Sequence, residues 1–233
     1  NTANGAQVDR INFAIAGVGV HMISVATALP SISEALLVDA TSEPDYAGTP
    51  VVRIDGASAG PISGFNLDSS ASGSTIKGLM ITRFGSRGID VSGSNNVISA
   101  NWIGTDGVNA LGNTQAGLNF QSSSSNNNLL GGIAANEVNL IAYNGGDGVR
   151  VNGSGTGNAF LGNIIYGNGE QGIDVGSQGV TANDAAPDAD TGSNDLQNFP
   201  VLATAYSDGA SLSIHGRLDS TANGFFRIEF FSN

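Results

Sequence analysis

Five polar side chains recur at the same position of a short sequence phrase, and together they could do chemistry. The phrase is a glycine, an apolar residue, the polar residue and a second apolar residue. Its polar positions are Asn66, Asp90, Asn119, Arg150 and Asp174. If the copies are stacked, the aspartates could act as acid, as base or as calcium ligands, and Arg150 could bind a substrate carboxylate.

Two kinds of role are open for this polar set. An inverting glycosidase needs two carboxyl groups about 6.5–9.5 Å apart, which Asp147 could form with Asp174 or Asp90 across adjacent coils. In the structural alternative, Arg150 is stacked between its neighbours in an exposed ion pair worth at most about 1 kcal/mol. A lyase would need a further base, but Lys77 is the only lysine and the two histidines lie near the ends of the chain. We therefore favour the structural role.

Two further features could bind a ligand. The segment 183–195 contains four aspartates, Asp184, Asp188, Asp190 and Asp195, and clustered carboxylate oxygens suit Ca²⁺. A solvated acidic loop is the alternative, because no glutamate closes the segment as in a helix-loop-helix calcium site. Trp102 could stack on a sugar ring, or it could pack in the protein core.

The elements that would position these residues are short strands in an internal repeat. Copies of the first phrase are spaced by 24, 29, 31 and 24 residues, and a second phrase, read at 96–103 and 158–165, alternates with it. Each apolar island is only three to five residues long and is bounded by Gly, Asn or Ser, which is typical of strands joined by tight turns. No segment has the long 3.6-residue period that a helix needs.

Such a repeat predicts an all-β fold, a right-handed parallel β-helix. Seven or eight coils at about 4.8 Å each would give a rod on the order of 35 Å long. The apolar positions of the first phrase should face the core. In the second sheet, we expect the column of Ile81, Ile103, Ile141 and Ile165 to face inward, rather than the column containing Trp102. The asparagines can stack as hydrogen-bonded ladders.

The two ends of the chain differ from its middle. Residues 1–30 are predicted to form cap strands and the first coil, residues 31–200 the coils, and residues 201–233 a separate C-terminal element. We predict an antiparallel hairpin there, with strands at 212–218 and 225–231 joined by a turn at 220–224. It would either cap the last coil or begin a β-sandwich domain. Because the chain stops directly after an aromatic strand, we expect it to be an excerpt of a longer protein.

Composition narrows the function classes. The net charge of −12 argues against a nucleic-acid partner, and the absence of cysteine excludes disulfides and Cys-based zinc sites. The 34 glycines and 25 asparagines argue against a helical bundle, since both residues weaken helix interiors. No apolar run approaches the 20 or so residues that span a bilayer. We expect a monomer.

Several phrases resemble the parallel β-helix repeats of very large secreted bacterial surface proteins, within the pectin-lyase-like superfamily. They are Ala-Leu-Pro at 28–30, Tyr-Ala-Gly-Thr-Pro at 46–50, Ile-Asp-Gly at 54–56, Ile-Gly-Thr-Asp at 103–106, Ala-Leu-Gly-Asn at 110–113 and the stretch 188–200. The similarity covers roughly residues 11–200. It implies a secreted or cell-surface location, and within the superfamily the same fold carries both polysaccharide-active enzymes and passive stalks.

The catalytic phrases of pectin-type hydrolases are absent, because no three-aspartate or coil-borne His-Gly phrase occurs. We therefore expect a non-enzymatic extracellular module, either a rigid spacer or a carbohydrate-contacting adhesin segment joined to flanking domains. The alternative is a polysaccharide lyase or glycoside hydrolase with its groove on the outer face of one sheet. The ligand would then be a polysaccharide or cell-surface glycan, and Ca²⁺ is the one cofactor suggested.

Overall fold

Short strands separated by glycine and asparagine wind into three parallel sheets. The protein is described by a computed structural model that covers residues 8–230. Within these residues the fold is an all-β parallel solenoid of about six turns, and the only helical elements are two 3₁₀ turns, Ala40–Ser42 and Ser193–Leu196. The predicted fold class is confirmed. Seven or eight coils was an overestimate, because none of the described residues 176–230 adds a parallel strand.

Each of the three sheets takes one strand from almost every turn. The first sheet contains β1 (Asp9–Asn12), β3 (Leu36–Asp39), β6 (Thr75–Lys77), β9 (Val97–Ser99), β12 (Leu129–Gly131) and β15 (Ala159–Leu161). The second sheet contains β2 (His21–Ser24), β4 (Val52–Asp55), β7 (Leu79–Thr82), β10 (Trp102–Ile103), β13 (Leu140–Ala142) and β16 (Ile164–Tyr166). The third contains β5 (Phe65–Leu67), β8 (Ile89–Val91), β11 (Leu118–Phe120), β14 (Val149–Val151) and β17 (Ile173–Val175).

The core is a stack of aliphatic columns inside these sheets. The expected isoleucine column is confirmed, since Ile81, Ile103 and Ile141 are completely buried. In the third sheet, both apolar positions of the repeated phrase point inward. The last coil is less well covered, and Ile173 there is 43% exposed. The alternating pattern therefore fixes which face of each strand is buried.

Buried asparagines join successive turns, as expected. One ladder lies before the strands of the second sheet, where Asn101, Asn139 and Asn163 occupy equivalent positions. The Asn139 amide nitrogen donates to the Asn163 side-chain oxygen at 2.9 Å, and the Asn139 oxygen accepts from the Asn101 backbone N–H at 2.9 Å. Similar ladders run through Asn96, Asn128 and Asn158 and through Asn113, Asn144 and Asn168.

The C-terminal hairpin is present and the predicted strand at 212–218 is confirmed, but its predicted partner and turn are wrong. Strand β18 (Val201–Ser207) pairs antiparallel with β19 (Leu212–Arg217), and residues 225–230 form no strand. The predicted end of the second strand, residue 231, lies outside the described residues. The actual turn follows Asp208, whose side chain accepts from the backbone N–H groups of Ala210 and Ser211. Asp208-Gly209 is therefore the hairpin signal that closes this pair.

Candidate functional site

The third sheet holds the predicted polar ladder in register. Strands β5, β8, β11, β14 and β17 pair so that each polar residue lies opposite the next. The ladder lies outside the aliphatic core, but it is not the solvent-exposed face that the sequence predicts. Asp90, Asn119 and Asp174 are 6%, 0% and 2% exposed, while Asn66 is exposed. Flanking loops cover the sheet here, so the polar groups must satisfy one another.

Asp147, Arg150 and Asp174 form one compact ion cluster. One guanidinium nitrogen of Arg150, Nη1, lies 3.5 Å from Asp147 Oδ2 and also contacts Asp174 Oδ2. Both carboxylates are almost completely buried, so this ion pair is not the exposed one that the sequence suggested. Because the two oxygens share a single nitrogen, arginine fills the space that an inverting glycosidase keeps for water.

Backbone groups hold the two carboxylates in place. Asp147 Oδ1 accepts from the Gln171 N–H at 2.9 Å, and Asp174 Oδ2 accepts from the Gly179 N–H at 3.0 Å. Burial raises the pKa of the Asp147 carboxyl, and the charges of Asp174 and Glu170 add to this, against the opposing effects of the Gln171 N–H and Arg150. A carboxyl whose pKa is raised keeps its proton to a higher pH, as a general acid does.

Asp90 belongs to a separate cluster. Its Oδ1 lies 3.3 Å from Arg87 Nη1 and accepts from the Asn119 amide at 3.0 Å, and its Oδ2 accepts from the Ser63 hydroxyl at 2.6 Å. The strand of Asn119 lies between Asp90 and Arg150, so two strand spacings, roughly 10 Å, separate the two positions. The ladder therefore divides into two groups, each with one arginine beside its carboxylates.

A polar cleft of about 300 Å³ opens beside these two clusters. Its lining includes Arg87, Asp147, Arg150 and Glu170, together with Gln178. Two guanidinium groups and two carboxyl groups thus face one depression. Such a surface could bind a polar ligand through hydrogen bonds and ion pairs.

Trp102 lies outside the core, in the second sheet. It is partly buried, and its ring is covered by the loop that follows β10, so that a Cβ added to Gly107 would lie 2.5 Å from the ring. The structure thus places it apart from the ladder, on a different sheet. Stacking on a sugar ring stays a prediction.

Three of the four predicted calcium ligands come together. One carboxylate oxygen from each of Asp184, Asp188 and Asp190 lies within 4.8 Å of the others, whereas Asp195 is outside this group, in the 3₁₀ turn Ser193–Leu196. Asp188 Oδ2 accepts from the Gln197 amide at 2.8 Å and from the Ser220 hydroxyl. The segment therefore already ties the end of the coils to the hairpin, and calcium binding stays a prediction.

Sequence reasoning missed one cluster near the N-terminus. His21 at the start of β2 lies beside Glu43 and Asp45, which follow the 3₁₀ turn Ala40–Ser42. His21 is more than 20 positions from the two acids in the chain, so no local motif marks the cluster. One sequence signal could have revealed the cluster. Two acids lie two residues apart in a connection that is one turn above a histidine.

Comparison of the chain with protein-family models, curated proteins and solved structures found no match. The resemblance of its phrases to β-helix surface proteins accordingly stays a prediction. Within residues 8–230, no helix has the length and apolar character required to cross a bilayer.

Proposed function

We propose that this chain is a non-enzymatic, rigid β-solenoid module of a larger extracellular surface protein. The observation that carries the proposal is the placement of Arg150 between Asp147 and Asp174. The strongest candidate pair for acid-base work is thereby held on one arginine inside the protein. A hydrolytic pair would need one free carboxylate facing a water molecule.

The hydrogen bonding between turns supports a role as a spacer. Three parallel sheets and three asparagine ladders connect each central turn to the next, and all of the ladder asparagines except Asn168 are buried. In a solenoid each repeat is stabilised mainly by its neighbours. When the contacts between successive turns are similarly strong, no single point of the rod bends easily. Six turns correspond to roughly 25–30 Å of length.

A force measurement tests the spacer role directly. The chain, pulled through handles at residues 8 and 200, is expected to keep a constant length until it unfolds in discrete steps. The joints between coils are cooperative, so little gradual extension should precede the first step. Gradual lengthening at low force would contradict a rigid spacer.

The polar cleft supports contact with a glycan as the second part of the proposal. Arg87 and Arg150 lie on its surface with Glu170 and Gln178, a mixture suited to hydroxyl and carboxylate groups of an acidic oligosaccharide. Binding of acidic oligosaccharides should weaken in Arg87→Ala. Arg217→Ala, on the exposed hairpin, is the matched control. Equal binding by both variants would place any glycan contact elsewhere.

The raised pKa of Asp147 favours a second candidate, a polysaccharide-active enzyme in which this carboxyl is the acid. A depolymerisation screen separates the two functions. Acidic and neutral polysaccharides, with and without Ca²⁺, are incubated with the wild type, Asp147→Asn and Asp174→Asn, and new reducing ends and unsaturated products are measured. We expect no activity above background. Turnover by the wild type that both variants lose would establish the enzyme instead.

A further inference from the structure

The cluster of His21, Glu43 and Asp45 has the composition and spacing of a metal site. One ligand atom from each residue lies within 4.8 Å of the others. The His21 Nε2 atom is 3.9 Å from Glu43 Oε1 and 3.7 Å from Asp45 Oδ1. Ligands placed tetrahedrally about 2.1 Å from an ion are about 3.4 Å apart, so only a small inward movement is needed.

Two atoms at the centre of this cluster are buried without a hydrogen-bond partner, His21 Nε2 and Asp45 Oδ1. The His21 side chain is only 10% exposed. Its distances to the two carboxylates exceed hydrogen-bonding range, so the imidazole nitrogen points at oxygens that it does not bind. A buried polar atom left unpaired is costly, and a shared cation would satisfy both atoms.

The remaining carboxylate oxygens are anchored by backbone groups. Glu43, whose side chain is 1% exposed, accepts from the Ile15 N–H through Oε2 at 3.0 Å and, more weakly, through the histidine-facing Oε1 at 3.2 Å. Asp45 Oδ2 accepts from the Gly19 N–H at 2.7 Å, which leaves Oδ1 directed at the histidine. These bonds fix the ligands before any ion arrives, which is how well-formed sites hold their geometry.

Charge also favours a cation here. Among the residues that the structure describes, no lysine or arginine forms an ion pair with Glu43 or Asp45. Two neighbouring carboxylates without a lysine or arginine partner repel each other. A divalent ion would neutralise both of them.

We propose that His21, Glu43 and Asp45 bind a first-row divalent transition metal of the zinc type and thereby clamp the first turn of the solenoid to the second. An imidazole nitrogen argues against Ca²⁺ and Mg²⁺, which take oxygen ligands, and one nitrogen with two carboxylates suits Zn²⁺ with water in the fourth position. The site is independent of the proposed spacer and glycan roles.

Calorimetry with Zn²⁺ on the full chain, previously stripped with a chelator, tests the site. We expect one ion per chain, and binding should weaken more than about 10-fold in His21→Ala. Asp45→Asn should fold normally, because its amide oxygen can still accept from Gly19 N–H, and should also bind more than about 10-fold more weakly. His215→Ala, which removes the other histidine, and Asp188→Asn, in the aspartate cluster near the hairpin, should bind like the wild type.

Co²⁺ provides a readout that a purely structural role would not affect. Co²⁺ in the wild type should give the intense visible absorption of a four-coordinate ion, and this band should be absent in Asp45→Asn. The proposal is wrong if the wild type binds no Zn²⁺, if His21→Ala and Asp45→Asn bind as well as the wild type, or if His215→Ala or Asp188→Asn abolishes binding instead.

Discussion

At the bend before the second sheet, neighbouring turns in the middle of the solenoid are joined by neutral asparagine side chains, whereas the first turns carry charged side chains there. At the bend before the second sheet, the central turns present Asn101, Asn139 and Asn163. The equivalent connection in the second turn is longer, spans residues 40–51 and carries Glu43 and Asp45. The strand before it ends at Asp39, whose partner in the next turn is Lys77.

The difference follows from what each side chain can donate and accept. An amide is both donor and acceptor, so asparagine stacks on asparagine without limit and without charge. An ionised carboxylate only accepts, so it needs a cation or a donor from elsewhere at each step. The asparagine contacts between central turns should therefore be independent of pH and metal, and the contacts at the same bend of the first turns should depend on both.

The largest effect is expected from breaking the central ladder with Asn139→Ala. This completely buried side chain accepts from the Asn101 N–H and donates to the Asn163 side-chain oxygen and the Ile98 carbonyl oxygen. Its removal leaves several buried groups unpaired, at about 1–3 kcal/mol each, so the free energy of unfolding should fall by about 3 kcal/mol or more. Urea denaturation measures this change.

The matched control for that ladder is Asn66→Ala. Asn66 is exposed, and its amide donates only to the Ser31 hydroxyl, at 3.1 Å. Its loss should change the free energy of unfolding by about 0.5 kcal/mol or less. Similar losses in the two variants would mean that the buried amides do not hold the central turns together.

The second prediction compares two glycines with similar backbone angles. Gly104 has φ +88° and lies so close to the next turn that an added Cβ would be 2.2 Å from the Ala142 carbonyl oxygen. Gly48 has φ +94° and lies in the long connection 40–51 of the second turn, where an added Cβ would have nothing within 4 Å. Alanine should cost about 1–2 kcal/mol at both positions from backbone strain, and a further 1–3 kcal/mol or so at Gly104 from the clash. Thermal unfolding of Gly104→Ala and Gly48→Ala would give the difference, and equal losses would contradict close stacking.

The fold was predictable because the pattern of apolar and polar residues that specifies it repeats along the chain. Each copy of the phrase around Ile89 or Val149 repeats the same burial pattern, and the register of the polar ladder follows from that alone. The burial of the polar ladder could not be predicted in this way, because the loops that cover it lie outside the repeat. The loop that contains Gly179 is one of them.

Two other features were not predicted from the sequence, for related reasons. The hairpin register is set by Asp208 and Gly209, whereas the prediction pairs 212–218 with the apolar segment 225–231. Residues 225–230 instead return to the last coil, where Glu229 accepts from the Gly162 N–H at 2.8 Å. The histidine–carboxylate cluster combines two different turns, and single-turn patterns cannot reveal such a contact. Contacts within the repeat are thus predictable, and contacts between unlike segments are not.

The third prediction is that acid weakens the first turns before the central ones. Burial alone would raise the pKa of Asp39, but hydrogen bonds from Thr41 and Lys77 outweigh it and lower the pKa below 3.8; Arg83 does the same against the burial of Asp55. Their stabilisation is therefore complete above a pH of about 3.8, the unfolded-state value, and is lost as the pH falls through the lowered folded-state values.

Hydrogen exchange at pH 5 and at about pH 2.5, in chelator and corrected for intrinsic rates, tests this dependence. Protection of β3 and β4 should fall by up to roughly 10-fold for each pH unit that separates the folded-state pKa of these carboxyls from the unfolded-state pKa. The asparagine-bearing turns around β10 and β13 should change less. A uniform loss of protection along the solenoid would contradict a chemical difference between its two regions.

The smallest effect concerns two cations that share one carboxylate. Lys77 Nζ lies 3.0 Å from Asp39 Oδ2 and its side chain is 32% exposed, whereas Arg10 Nη2 is 3.9 Å away and 59% exposed. Exposed pairs contribute little, so Lys77→Met should cost about 1 kcal/mol and Arg10→Ala less than about 0.5 kcal/mol. Double-mutant cycles with Asp39→Asn isolate each pair from other effects of the substitutions. A coupling of about 3 kcal/mol for Lys77 would mean that Asp39 behaves as a buried charge, and the first turns would then be joined as firmly as the central ones.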